Sequence, residues 1–162
     1  MADTGLFVAC GSTENEKFRA LRRDANREGG FVIPERVHEE LVGTPEEYDP
    51  AQGITASVDQ SMEEGWVEMY GGIDYTNPKV SGAMDVTRRY IADVTDRSEH
   101  DIEKADAALS AVAVQILKEG EDVGLVELYT TDKPAGEGCV KAAEAVGYEA
   151  KVEFVYAFDY VD

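Results

Sequence analysis

The sequence has little positive charge. Lys and Arg together number 15 against 34 Asp and Glu, which leaves a formal net charge of −19 on 162 residues. A charge this large repels itself in dilute buffer, whereas at about 1 M salt the Debye length is roughly 3 Å and the repulsion largely disappears. The acids are spread along the whole chain, which favours adaptation to a very salty cytoplasm over an unusually acidic mesophilic protein. The charge also argues against simple electrostatic capture of nucleic acid.

Cysteines and long apolar runs are also scarce. The two cysteines, Cys10 and Cys139, lie far apart and in no metal-like spacing, which argues against a disulfide framework or a zinc knuckle. We expect both to be ordinary buried or free thiols. No apolar run is long enough to span a membrane, and no signal peptide precedes the first acidic residue. These absences predict a cytoplasmic protein.

Short apolar runs alternate with amphipathic segments along the chain. A length of 162 residues suits a single domain, here residues 1–162, with a hydrophobic core of its own. The alternation favours an α/β fold with a mostly parallel sheet and helices on its faces. A short apolar run at 6–10 and a loop with some helix over 43–60 complete the pattern. The predicted strands cover 31–33, 66–70, 124–130 and 152–158, and the predicted helices cover 14–27, 34–42, 81–96, 101–119 and 134–146.

Most acids in so acidic a chain are solvated surface charges, so the informative ones lie on apolar faces. Burying an unpaired carboxylate is costly, and such a position usually has a metal, a partner or a shifted pKa. In the helix predicted over 101–119, Asp106 falls inside the apolar stripe, whereas Asp101 and Glu103 lie at or beyond its edges. The alternative for Asp106 is a buried carboxylate paired with a Lys or with a backbone cap.

Asp132 stands directly beyond the apolar run that ends at Thr130. Ligands of open α/β sheets bind beyond the carboxyl ends of the strands, which makes Asp132 a candidate site residue. The alternative is that Asp132 caps the helix that follows it, and both descriptions are compatible.

Two further candidates come from the first forty residues. In the helix after Pro34, Glu40 lies about 20° from the inward direction of Ile33, whereas Glu39 points nearly away from it. Glu40 could also be a boundary residue that reaches for water. Asp3 precedes a Thr, a Gly and an apolar run, an arrangement that suits a turn leaving a sheet.

Four segments in this order resemble the PIN-domain nuclease family, which includes the toxins of many toxin–antitoxin pairs. They are residues 3–9 (DTGLFVA), 33–41 (IPERVHEEL), 105–113 (ADAALSAVA) and 130–133 (TTDK). The resemblance implies a three-layer α/β/α fold with a mostly parallel central sheet. It maps the four acids of the family site onto Asp3, Glu40, Asp106 and Asp132.

The chain also departs from the family pattern. The family usually has a complete apolar strand before the first Asp, but only Met1 and Ala2 precede Asp3. The strand is therefore built mostly from residues after Asp3, or the chain start is truncated. Gly5 stands where the family often has Asn or Ser, and the region 43–97 is longer and matches least.

The resemblance implies a metal-dependent ribonuclease that cleaves single-stranded RNA and leaves a 5′-phosphate. Ligands that offer only oxygen suit Mg²⁺ or Mn²⁺. Asp3, Asp106 and Asp132 would bind the metal directly, Glu40 would hold a second ion or position water, and Thr4 and Thr130 would support the carboxylates. The implied partners are an RNA substrate, an antitoxin protein and a second copy of the chain. Three cations near the acids in sequence would contact phosphates or remain ordinary surface charges: Arg36, Lys104 and Lys133.

Two other classes compete with this interpretation. A phosphatase with an aspartyl nucleophile has a similar start, but it usually pairs two acids in its first motif, and position 5 here is Gly. A non-catalytic PIN-like module that binds RNA or protein would not need all four acids. Among ribonucleases, the absence of a zinc-ribbon cysteine set favours a toxin over an RNA-processing enzyme.

Overall fold

The computed structural model describes residues 1–43 and 53–161, and its helices and strands largely alternate along the chain. The expected loop over 43–60 lies partly outside the described residues, and its last part is helical. The elements, in chain order, are α1 Thr4–Cys10, α2 Glu16–Glu28, β1 Phe31–Pro34, α3 Glu35–Val42, α4 Gly53–Glu63, β2 Val67–Tyr70, α5 Pro78–Thr95, a 3-10 helix Glu99–Asp101, α6 Lys104–Glu119, β3 Val126–Thr130, α7 Lys133–Ala145, β4 Val152–Tyr156 and α8 Ala157–Val161.

The strands form two parallel pairs, β1 with β2 and β3 with β4. The first three residues connect these pairs through their backbone. Tyr129 N–H donates to Met1 C=O at 3.0 Å, Asp3 N–H donates to Tyr129 C=O at 3.0 Å, and Ala2 N–H donates to Val32 C=O at 2.9 Å. The order across the sheet is therefore β2, β1, the chain start, β3, β4. The strand pairings of the described residues are parallel, in agreement with the mostly parallel sheet that the alternation of elements predicted.

The helices pack in two groups. Helices α5, α6 and α7 contact one another, and α7 also contacts β3 and β4, whereas α1 contacts α2, α3 and α8. The sheet lies between helical layers, which gives the three-layer α/β/α arrangement expected from the sequence. The core is closed by fully buried apolar side chains from the sheet and from both groups, among them Phe7, Ile33, Val37, Leu109 and Leu128.

The segment after Asp3 is the main difference from expectation. Residues Thr4–Cys10 form helix α1, so the first of the two alternatives, a strand built mostly from residues after Asp3, is wrong. Leu6, Phe7 and Cys10 are buried on one side of this helix. A short apolar run fits a strand or a buried helix equally well, and periodicity alone does not separate them. The Asp3 carboxylate decides for the helix, because it accepts a hydrogen bond from Thr4 N–H and caps α1.

Other boundaries move by a few residues. Helix α6 begins at Lys104 rather than at residue 101, because Glu99–Asp101 form a separate 3-10 helix. Strand β4 ends at Tyr156, and the residues that follow it form α8 rather than more strand. Cys10 and Cys139 are both free and buried, as predicted. None of the helices described is both long and apolar enough to cross a membrane.

Candidate functional site

Asp3 and Thr130 form the buried floor of the candidate site. Asp3 ends the short backbone link between β1 and β3, and its residue is only 8% exposed. Its Oδ1 accepts from Thr4 N–H at 2.7 Å, and its Oδ2 accepts from the buried Thr130 hydroxyl at 2.7 Å. Burial raises the pKa of Asp3, these two hydrogen bonds oppose the rise, and the charge of Asp132 adds to it.

The Thr130 hydroxyl also orients Asp132. Thr130 is the last residue of β3, and its Oγ1 accepts from Asp132 N–H at 3.0 Å while donating to Asp3. Asp132 is the N-cap of α7, and its Oδ1 accepts from Ala135 N–H at 3.0 Å. The sequence left two roles open for Asp132, and the structure shows the cap. The second carboxylate oxygen takes no part in that cap, and the Asp132 residue is exposed at the carboxyl end of β3.

Thr4 brings Glu40 to the same end of the sheet. Thr4 is the first residue of α1, and its hydroxyl donates to Glu40 Oε2 at 2.6 Å. Burial raises the pKa of Glu40, the Thr4 hydrogen bond opposes this, and the charges of Asp3 and Glu103 raise it further. Glu39, the neighbour on α3, is instead paired with Arg36 at 2.5 Å.

Asp106 lies in the first turn of α6 and is half-buried rather than enclosed in the apolar stripe. Burial raises the pKa of Asp106 to about 7, together with the charges of Asp132, Asp3, Glu103 and Glu40 in decreasing order. Burial is the largest cause of this shift, and the four charges that add to it are all negative. The alternative of a Lys partner is not supported, since Asp106 forms no ion pair within the described ranges 1–43 and 53–161.

The structure thus places acids from four segments at one end of the sheet, where the charges of Asp132, Asp3 and Glu40 all raise the pKa of Asp106. None of Asp3, Glu40, Asp106 and Asp132 is ion-paired with a described residue. They do not form a ready coordination sphere, since no three His, Cys, Asp or Glu side chains in the described part are placed to hold a metal ion. The oxygen donors and the uncompensated negative charge fit a hard divalent cation, and binding would require the carboxylates to draw closer.

Gly5 is explained by the approach of α1 to the turn after β3. A Cβ at position 5 would stand 2.1 Å from Thr131 Oγ1 and about 3.0 Å from Thr131 Cβ. Only glycine allows this contact without movement, and the contact keeps Thr4 and Asp3 beside Thr130.

Three nearby cations were candidates for phosphate contacts. Lys133 lies over the Tyr156 ring, with Nζ 4.4 Å from the ring centroid, and Arg36 is paired with Glu39. Lys104 is exposed at the first position of α6. Lys133 and Arg36 thus already have structural partners, although the Arg36 charge also acts on Glu40.

The family comparison concerns the chain as a whole. A sequence model described as "Halobacterial PIN domain" matches residues 1–162. The chain belongs to the halobacterial PIN domains. Comparison with curated proteins and with solved structures gives no significant match. Family membership establishes the PIN-like α/β/α fold and a nuclease-type architecture, and it agrees with the salt adaptation predicted from composition.

One acid of this PIN domain was missed by the sequence interpretation. Glu103 is the N-cap residue of α6 but makes no side-chain capping hydrogen bond, and its charge raises the pKa of both Glu40 and Asp106. The stripe criterion rejected it because it lies outside the apolar face. Its position three residues before Asp106 was the available signal, since residues i and i+3 are neighbours on a helix surface.

Proposed function

We propose that this PIN domain is a divalent-metal-dependent endoribonuclease, with Asp3, Glu40, Asp106 and Asp132 as its metal site. One observation carries the proposal: four acids of a nuclease-type fold converge with no ion-paired cation among residues 1–43 and 53–161. Burial and these charges raise the pKa of Asp106 to about 7. Clustered carboxylates of this kind bind Mg²⁺ or Mn²⁺ through oxygen. Single-stranded RNA is the proposed substrate, and a 5′-phosphate is the proposed product end.

In the proposed mechanism the chain's own residues position the acids. Asp3, Asp106 and Asp132 would hold the metal, which when bound supplies Lewis-acid activation of the phosphodiester and of the attacking water. Thr130 fixes the relative position of Asp3 and Asp132 through its single hydroxyl. Thr4 orients Glu40, which would hold a second ion or position water. Deprotonation of Asp106 is required for metal binding, so we expect binding to strengthen as the pH rises through about 7.

The direct test is cleavage of a fluorescently labelled single-stranded RNA by the purified protein at about 2 M KCl, where repulsion is screened. We expect cleavage with Mn²⁺ or Mg²⁺ and none with EDTA. Asp106→Asn and Asp132→Asn should each lower the rate roughly 100-fold or more. Asp93→Asn is the matched control, because Asp93 is an exposed acid on α5 outside the acidic site. Circular dichroism would verify that each variant is folded.

Two outcomes would count against the proposal. RNA binding without cleavage in Mn²⁺ and high salt would support the non-catalytic PIN-like module instead. Cleavage that survives in both Asp→Asn variants would place the chemistry elsewhere in the molecule.

Within the ribonucleases, we favour a toxin over an RNA-processing enzyme. The chain has only two cysteines, both buried, and so carries no zinc ribbon. The proposed partner is an antitoxin protein. A small open reading frame directly beside this gene that encodes an antitoxin-like protein would support the assignment, and neutralisation of the RNase activity by its product would test it.

A further inference from the structure

The segment between β2 and α5, residues 71–77, is held firmly against α6. Gln115 of α6 is 3% exposed, and both ends of its amide bind this segment. Its Nε2 donates to Gly72 C=O at 3.0 Å, and its Oε1 accepts from Asp74 N–H at 2.7 Å. Asp74 Oδ1 in turn accepts from Thr76 N–H at 3.0 Å and from the Thr76 hydroxyl at 2.5 Å. A buried amide used in this way gives the segment a defined conformation.

This fixed segment presents Tyr75 to solvent. Tyr75 is 55% exposed. Within the described ranges its ring makes no aromatic contact and no side-chain hydrogen bond. Beside it lies a cavity of about 240 Å³. The cavity is lined by Pro34, Glu35, Arg36, Glu39, Ile73, Tyr75 and Ala108. An exposed aromatic ring on a rigid support is a surface on which a planar group can stack.

The cavity and the acidic site share helices α3 and α6. Glu39 directly precedes Glu40 on α3, and Ala108 follows Asp106 by two residues on α6. Strand β2 ends at the same edge of the sheet as β1, because Tyr70 pairs with Pro34 in parallel register. Because Pro34, the last residue of β1, lines the same cavity as Tyr75, the cavity lies at the carboxyl edge of the sheet, where the carboxylates converge.

A ribonuclease with a net charge of −19 repels RNA, so part of its affinity for RNA must come from contacts that do not depend on charge. Phosphate contacts weaken steeply as salt rises, whereas stacking of a base on an aromatic ring survives screening and tolerates any base. Among the exposed large apolar side chains of the described part, Tyr75 is the most exposed aromatic one. Arg36 is paired with Glu39 through one guanidinium nitrogen, but its side chain lines the same cavity and is about half exposed. Its other N–H groups can therefore contact a phosphate next to a stacked base.

We propose that Tyr75 and the adjoining cavity form a nucleobase subsite that stacks one base of single-stranded RNA beside the acidic site, with Arg36 contacting the neighbouring phosphate. This inference rests on the proposed function, since it names how the same site holds its substrate. Tyr75 lies outside the four segments on which the resemblance to the family rests.

The test measures binding separately from cleavage. Fluorescence anisotropy with EDTA at about 2 M KCl, where phosphate contacts are screened, would give Kd for a short single-stranded RNA and for copies with one abasic site at successive positions. In the wild type we expect one abasic position to weaken binding roughly tenfold. Tyr75→Ala should weaken binding of the intact RNA by a similar factor and should abolish the penalty at that position. Tyr75→Phe, which keeps the ring, should retain both.

Phe158→Ala is the matched control. Phe158 is an exposed aromatic residue in α8, next to the outer strand β4 at the other edge of the sheet from Tyr75. Its removal should leave Kd and the abasic penalty unchanged. Equal Kd values for the wild type and Tyr75→Ala, or an abasic penalty that persists in Tyr75→Ala, would overturn the subsite.

The two proposals fail in different ways. Tyr75-dependent binding without cleavage in Mn²⁺ would refute the nuclease activity and leave the base subsite standing. Metal-dependent cleavage with the same KM in the wild type and in Tyr75→Ala would refute the subsite and leave the nuclease activity standing.

Discussion

At Asp106, folding favours the protonated acid, whereas the proposed metal binding requires the ionised carboxylate. An unperturbed Asp has a pKa of about 3.9, whereas burial and the neighbouring carboxylates raise the pKa of Asp106 to about 7 in the folded protein. A higher pKa in the folded state means that folding favours the protonated acid. The contribution of protonated Asp106 to the free energy of unfolding is fully present below about pH 4 and is lost as the pH rises through about 7.

We therefore expect Asp106→Asn to stabilise the metal-free protein, with a larger gain in Tm at pH 8 than at pH 5. The amide cannot ionise, so the variant escapes the loss that the wild type suffers above neutral pH. Thermal unfolding with EDTA in high salt measures the effect, with Asp93→Asn as the surface control. Added Mn²⁺ should raise the Tm of the wild type and not that of the variant. A gain of equal size at both pH values would show that charge repulsion is not its cause.

At the scale of elements, helix α1 is the part on which the site's geometry depends. It carries Thr4, it is capped by Asp3, and it meets the turn after β3 at Gly5. The contact between Gly5 and Thr131 therefore sets how closely Glu40 and Asp3 approach Asp132. A side chain at position 5 would separate α1 from that turn.

Gly5→Ala should destabilise the protein by about 1–3 kcal/mol and lower RNA cleavage, because the new Cβ would stand 2.1 Å from Thr131 Oγ1. Thr131 is β-branched and adjusts its rotamer with difficulty. The second-site change Thr131→Ala removes two of the three crowding atoms, Oγ1 and Cγ2, and should restore part of the stability. Chemical denaturation of the two single variants and the double variant gives the coupling free energy. Strictly additive effects would refute the proposed steric contact.

At the scale of the whole molecule, the net charge of −19 governs the conditions under which the protein folds. In dilute buffer the acids of the surface and of the site repel one another. Screening at high ionic strength relieves the surface most, because buried and partly buried charges are screened less. The carboxylates of the acidic site therefore still repel one another at salt concentrations that stabilise the rest of the molecule.

We expect the Tm of the metal-free protein to fall steadily as KCl is lowered from about 2 M to about 0.1 M, where the Debye length grows to about 10 Å. Differential scanning calorimetry would measure the change. Sucrose, which stabilises without screening charge, should restore less of the lost Tm at low salt than KCl does. A Tm that is independent of KCl would show that surface repulsion does not limit stability.

The sequence alone was sufficient for the larger elements. Periodic apolar residues mark helices such as α6, and the run Val126–Thr130 ends just before Asp132, so the parallel sheet and this one acid at its carboxyl edge followed from local pattern. The choice of Asp3 rested mainly on the family resemblance. Composition alone indicated salt adaptation, because net charge needs no structure to be counted. The choice of Glu40 over Glu39 came from helical direction, which is also a local property.

Only the tertiary structure determined the relative positions of the four acids. The apolar run after Asp3 is helical because Asp3 caps it and because Leu6 and Phe7 find buried positions there, which periodicity in seven residues cannot show. The half exposure of Asp106 and the part played by Glu103 depend on distances through space between separate segments. Local sequence sets which way a side chain points, whereas packing sets which charges face it, and the chemistry of this site depends on the second.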